Sequence, residues 1–229
     1  MKIFPVVHLN DSEQAYQQSR IALEEGADGV YLIDHMLHDE RLTLDTLTHL
    51  KKDDPNNFVG VNFLHLSVDV SYALFDEYIS DKPSGYLPNS IWADDAKNSR
   101  LTLKEIRQKY QRLSRVALMG GISFKYTKDF TEDPEKAQRE VRQFQDRVDV
   151  ITTSGSSTGS APTVGKIRAM KRMADRPIAI ASGIDNANIY QFLDLVDIVL
   201  VASSIETESY SGIFDKRKLR ELISIAHTL

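Results

Sequence analysis

The chain has 229 residues, which fits one α/β barrel better than two small domains, and no Pro/Gly/Ser-rich break divides it, so a single domain over residues 1–229 is expected. Hydrophobic residues at 41% and charged residues at 27% are ordinary for a folded domain, and a net charge of -5 argues against nucleic acid or an anionic membrane surface as partner. The absence of cysteine excludes disulfides, thiolate metal sites and thiol nucleophiles. The opening MKIFPVVHLNDSEQ lacks the pattern of a signal peptide, and no apolar run approaches about 18 residues, so a cytoplasmic protein is expected.

Apolar runs of strand length alternate with segments of helical period along the whole chain. The first strand is read at Lys2 to Leu9, and its helix is capped by Asp11 with Gln14 three residues on and Gly26 past the end. The second strand is Gly29 to Asp34, followed by Leu44, Leu47 and Leu50 on one helix face. The third is Phe58 to Phe63, the fourth Ser90 to Ala93, and the fifth Arg115 to Met119, with Gly120-Gly121 marking a bulge or turn. Strands six to eight are nearly unbroken apolar runs at Asp149 to Thr152, Pro177 to Ala181 and Asp197 to Val201. Their helices carry Val164, Ile167 and Met170, then Ile189, Phe192 and Leu193, then Leu219, Leu222 and Ile223. Eight strands alternating with eight helices predict a closed (β/α)₈ TIM barrel, with a doubly wound open sheet as the alternative.

In such a barrel the residues at the C-terminal ends of the strands build the site. Those positions hold candidate acid–base residues His8, Asp34, Asn62, Asp94 and Lys125. The ends of strands seven and eight, with Ser182, Gly183, Ala202 and Ser203, are small enough for backbone N–H groups to reach a phosphate. Thr152, Thr153, Ser154 and Gly155 open the stretch TTSGSSTGSAPT, expected to form a flexible loop over a ligand before a helix begun by Pro162. This stretch lacks the GxxxxGK[ST] pattern of a P-loop. His35 and His38 form an HxxH spacing that leaves a divalent metal possible, although no cofactor is required by the reading. The basic run Lys166 to Arg172 reads as the solvated side of a helix.

With these residues in place, the chain resembles the BtpA family of (β/α)₈ barrels, which includes SgcQ-like proteins and is named after a member linked to photosystem I biogenesis. The resemblance rests on DVITTSGSSTGSAP at 149–162, close to the family's VITxSGSATGxPP, then IASGID at 180–185 and SSI at 203–205. Weaker echoes are VVHL at 6–9, GVNFL at 60–64 and Phe124-Lys125, where Tyr126 stands in place of the family's histidine. Asp34-His35 also departs from the family's usual Glu-Asn. The resemblance implies the barrel and a phosphate site more than a particular reaction. Two functions follow as expectations: an enzyme acting by acid–base chemistry on a sugar-phosphate or ribosyl-nucleotide-like metabolite, as a lyase, isomerase or phosphoribosyl transferase or hydrolase, or a non-catalytic phosphometabolite sensor or assembly factor. A homo-oligomer is possible on either reading.

Overall fold

The structure is a computed structural model that describes residues 1–35, 39–80 and 82–228. Eight parallel strands close on themselves in chain order: β1 (Lys2–His8), β2 (Val30–Ile33), β3 (Val59–Asn62), β4 (Ser90–Ala93), β5 (Ala117–Gly121), β6 (Val150–Thr153), β7 (Ile178–Ala181) and β8 (Ile198–Val201). Closure is made by β8 against β1, in a register that sets Lys2 beside Ile198 and Pro5 beside Val201.

Among the described residues seven α-helices cover the barrel: α1 (Ser12–Glu24), α2 (Glu40–Asp53), α3 (Val68–Tyr78), α4 (Leu103–Lys109), α5 (Pro134–Phe144), α6 (Val164–Met173) and α7 (Lys216–His227). The eighth expected helix, after β7, is instead a single 3₁₀ turn over Ile189–Gln191 that buries Ile189 and Phe192. The turn is flanked by Asp185, whose carboxylate accepts the N–H groups of Ala187 and Asn188, and by Val196, whose N–H donates to the Phe192 carbonyl. Each α-helix starts on a side-chain cap that follows its strand loop: Asp11, Asp39, Ser67, Thr102, Asp133, Thr163 and Asp215 all accept backbone N–H bonds of the first turn. Thr163 is the cap of α6, so Pro162 lies just before that helix and does not open it.

Strand alternation makes two cores. The outer face packs Val7, Leu32, Val61, Ile91, Leu118, Ile151, Ile180 and Val199 against the helices. The inner face fills the barrel with Phe4, Val6, Tyr31, Ile33, Trp92, Met119, Ala179 and Leu200, joined by Phe124 from the loop after β5. Phe4 meets the edge of Tyr31 at 5.7 Å, Tyr31 meets Trp92 at 5.9 Å, and Trp92 meets Phe124 at 6.1 Å. Gly60 makes room for this stack, because a Cβ there would lie 2.2 Å from the Tyr31 ring.

Gly120 and Gly121 are the last two residues of β5, not a break in it. A Cβ on Gly120 would lie 2.4 Å from the Cβ of Ala96, and one on Gly121 would lie 1.7 Å from the carbonyl oxygen of Asp94. The pair lets β5 close against the chain leaving β4, which is what fixes the position of Asp94.

Candidate functional site

Above the aromatic fill, the strand ends place polar side chains around one mouth. Asn62 ends β3 with no solvent exposure, and its Nδ2 donates to Oδ1 of Asp94 at 3.1 Å. Burial pushes the Asp94 carboxyl above the usual range, partly opposed by the Asn62 bond and the charge of Lys125. Burial in turn lowers the Lys125 ammonium, opposed first by Asp94. Lys125 Nζ also donates to the Thr158 hydroxyl at 3.1 Å. Asn62, Asp94 and Lys125 therefore form one interacting group spanning β3 to β5.

His8, at the end of β1, is mostly buried and its ring meets that of His35 edge to face at 4.7 Å. Burial, then His35 and Lys125, push its pKa down to about 4, so the imidazole is neutral at neutral pH. Asp34 is buried after β2, and its Oδ2 accepts the N–H of Asp39 at 2.6 Å, which ties the start of α2 to the strand end. His38 lies outside the described residues, and among those described no group of three or more histidine or carboxylate side chains is set to hold a metal ion.

The loop after β6 is exposed over residues 156–159 and makes hydrogen bonds to the strand ends beside it. Thr152, Thr153, Ser154 and Gly155 are all buried. Thr153 donates to the Ser123 carbonyl at 3.1 Å, and the Ser154 hydroxyl accepts the Lys125 N–H at 2.8 Å. Farther out, Thr158 N–H donates to the Tyr126 hydroxyl at 3.1 Å, and Gly159 N–H donates to the Ser182 hydroxyl at 2.9 Å. Gly183, at φ +70°, packs so closely on this loop that a Cβ would lie 2.1 Å from the Ala161 nitrogen. The Ser182 hydroxyl and the missing Gly183 side chain thus serve loop docking, and what these residues leave for a ligand is backbone. Beside them, Ala202 leads into a 3₁₀ turn over Ser203–Ile205, whose first N–H groups have no partner inside the turn. The β7 and β8 ends are neighbours, with Ala181 opposite Leu200.

Two residues at this rim escaped the reading of the sequence. Lys166 is not on a solvated face: it has no solvent exposure, and Nζ donates to the carbonyls of Ser123 at 2.8 Å and Ser154 at 2.7 Å. Burial pushes its pKa down to about 8. The signal was present, because Lys166 stands three and four residues before Ala169 and Met170 on the buried stripe of α6. Glu206, after the turn at 203–205, is also buried, and its Oε1 lies 3.7 Å from His8 Nδ1. No spacing rule marks it.

Several buried polar atoms at this mouth make no hydrogen bond among the described residues: Asn62 Oδ1, Thr152 Oγ1, Trp92 Nε1 and both carboxylate oxygens of Glu206. Buried polar atoms normally have partners, so these strand-end atoms are able to take bonds from a polar ligand. Fold and strand ends define a (β/α)₈ barrel with polar and charged side chains above an aromatic fill. The chain belongs to the BtpA family, whose pattern it matches over residues 85–228.

No curated protein matches the chain. Among solved structures, thiamine phosphate pyrophosphorylase from Pyrococcus furiosus is similar at TM-score 0.66 and 13% identity, over 98% of this chain and 95% of that one. N-(5'-phosphoribosyl)anthranilate isomerase from the same organism is similar at TM-score 0.66 and 15% identity, over the whole of both chains. Tryptophan synthase subunit alpha from Legionella pneumophila str. Paris follows at TM-score 0.65 and 12% identity, over 100% and 93%. At such identities the likeness is one of fold. No helix among the described residues is long and apolar enough to cross a membrane.

Proposed function

We propose that this chain is a cytoplasmic enzyme that binds a small phosphorylated metabolite, of sugar-phosphate or ribosyl-nucleotide type, in the barrel mouth and acts on it by acid–base chemistry. The observation that carries the reading is the set of buried polar atoms at the strand ends without a hydrogen bond among the described residues, Asn62 Oδ1 and Thr152 Oγ1, near the charged Asp94 and Lys125. The phosphate is assigned to the backbone amides of Gly183, Ser203 and Ser204 on the neighbouring β7 and β8 turns. Two of the barrels that this chain resembles are named for phosphorylated compounds, thiamine phosphate and phosphoribosylanthranilate.

Roles divide by chemistry. Lys125 opposes negative charge that develops on the ligand, and Asp94, whose carboxyl is raised by burial, is the proton donor or acceptor beside it. Asp34 sits farther from this group in role, with one oxygen used by Asp39. The test is binding of inorganic phosphate and ribose 5-phosphate followed by thermal shift, where ligand at about 100 times Kd adds about 2.7 kcal/mol of stability. Ser203→Asp places a negative charge in the anion seat and is expected to abolish the shift while the chain stays folded. An undiminished shift in that variant refutes the assignment. Turnover screened on phosphorylated metabolites is expected to fall at least about a hundredfold in Lys125→Met, the scale of one general acid–base or charge-stabilising group.

A further inference from the structure

Glu206 is a buried charge, 1% exposed, whose carboxylate oxygens make no close side-chain hydrogen bond among the described residues. The loop that follows it folds back on itself. Glu206 pairs with Phe214 in an antiparallel bridge, Thr207 N–H donates to Ile213 O at 2.8 Å, and Asp215 N–H donates to Ile205 O at 2.8 Å. Tyr210 at φ +65° and Gly212 at φ +66° curl the tip so that the N–H groups of 210–212 favour the anion from their side. The loop is held onto the β1 side by two bonds, Gln14 Nε2 to Gly212 O at 2.7 Å and Phe214 N–H to Gln18 Oε1 at 2.8 Å. Loop strain and anchoring thus set the carboxylate in one place, and the side chain it faces is His8, with Nδ1 at 3.7 Å from Oε1.

The groups facing His8 come from three elements: Glu206 after β8, His35 after β2 with its ring 4.7 Å away, and Lys125 after β5. At 3.7 Å the contact is longer than a hydrogen bond, and through its charge a carboxylate on the Nδ1 side favours the neutral imidazole with the proton on that nitrogen, leaving the Nε2 lone pair free as a base. We propose that Glu206 is the positioning residue for His8, and that His8 moves a proton to and from the ligand at the β1 side of the mouth. In the step, a C–H or O–H bond of the ligand breaks as an Nε2–H bond forms, and the electron pair stays on the ligand, where the Lys125 ammonium opposes its charge. Glu206 balances the imidazolium, which returns the proton to the same or the neighbouring ligand atom. The proposal deepens the reading of the mouth as the site of a phosphorylated ligand and rests on it.

The test reads the tautomer of His8 at pH 7 from long-range imidazole ¹⁵N spectra of the ligand-free chain. The Nδ1–H form is expected to exceed the other at least about tenfold, a preference of one pKa unit in energy. Glu206→Gln is expected to erase that preference, and Glu206→Asp to restore part of it. A His8 tautomer unchanged by Glu206→Gln overturns the proposal. Should that variant fail to fold, the carboxyl ¹³C titration of Glu206 in the wild type and in His8→Gln decides: midpoints differing by about half a pH unit or more support the coupling, and equal midpoints overturn it. Failure of inorganic phosphate to bind would sink the ligand reading instead, since the tautomer is read without ligand.

Discussion

The ammonium of Lys166 donates to the carbonyl of Ser154 at 2.7 Å from a position with no solvent exposure. With its second bond, to the carbonyl of Ser123, it ties the chain leaving β5 to the chain leaving β6 beneath the docked loop. Lys166→Met removes the donor, leaving the Ser154 carbonyl unsatisfied and the Ser123 carbonyl with only the Thr153 hydroxyl, a loss of about 2–4 kcal/mol. For a domain of this length, the thermal midpoint should fall by about 5–15 °C. A midpoint within about 2 °C of the wild type would contradict this role.

Gly183→Ala meets two penalties at once, a φ of +70° and a Cβ 2.1 Å from the Ala161 nitrogen. The cost is expected at about 1–3 kcal/mol for the backbone alone, and the contact adds to it. Because the contact is with the loop after β6, limited proteolysis within residues 156–160 should quicken more than global unfolding does.

Asp94 gives a sign that separates function from stability. Its folded carboxyl is raised above the ordinary value by burial, so the folded state holds the proton longer than the unfolded one, and stability falls as pH rises through that window. The buried carboxyl therefore costs stability once pH exceeds the ordinary carboxylate range, and Asp94→Asn should raise the thermal midpoint while abolishing turnover. A lowered midpoint with turnover intact would reverse both assignments.

His8 makes the opposite contribution on the acid side. Its folded pKa of about 4 lies below the ordinary 6.5, so between these values the unfolded state binds the proton first and stability is lost as pH falls from 6.5 to 4. The full window corresponds to about 3 kcal/mol. Denaturant unfolding across this range should show the slope, and His8→Gln should flatten it.

The barrel was legible because each strand is a short apolar run buried on both faces and each helix carries a cap and an apolar stripe, all of them local features. Asp11 capping α1 through the Gln14 N–H, and β4 over Ser90–Ala93, stand where the sequence puts them. The missing helix after β7 was not legible, since Ile189, Phe192 and Leu193 show a helical spacing and a single 3₁₀ turn buries Ile189 and Phe192 equally well.

The site divides along the same line. Residue order alone determines that His8, Asn62, Asp94, Lys125, Ser182 and Ser203 follow strands and so share one rim once the barrel closes. Only the folded chain decides which of them are spent on the protein itself: the Ser182 hydroxyl on Gly159, one Asp34 oxygen on Asp39, the Lys166 ammonium on two carbonyls. Hydrogen-bond partners and burial depend on contacts between residues far apart in the chain, such as Glu206 and His8, and no local pattern encodes such a distance.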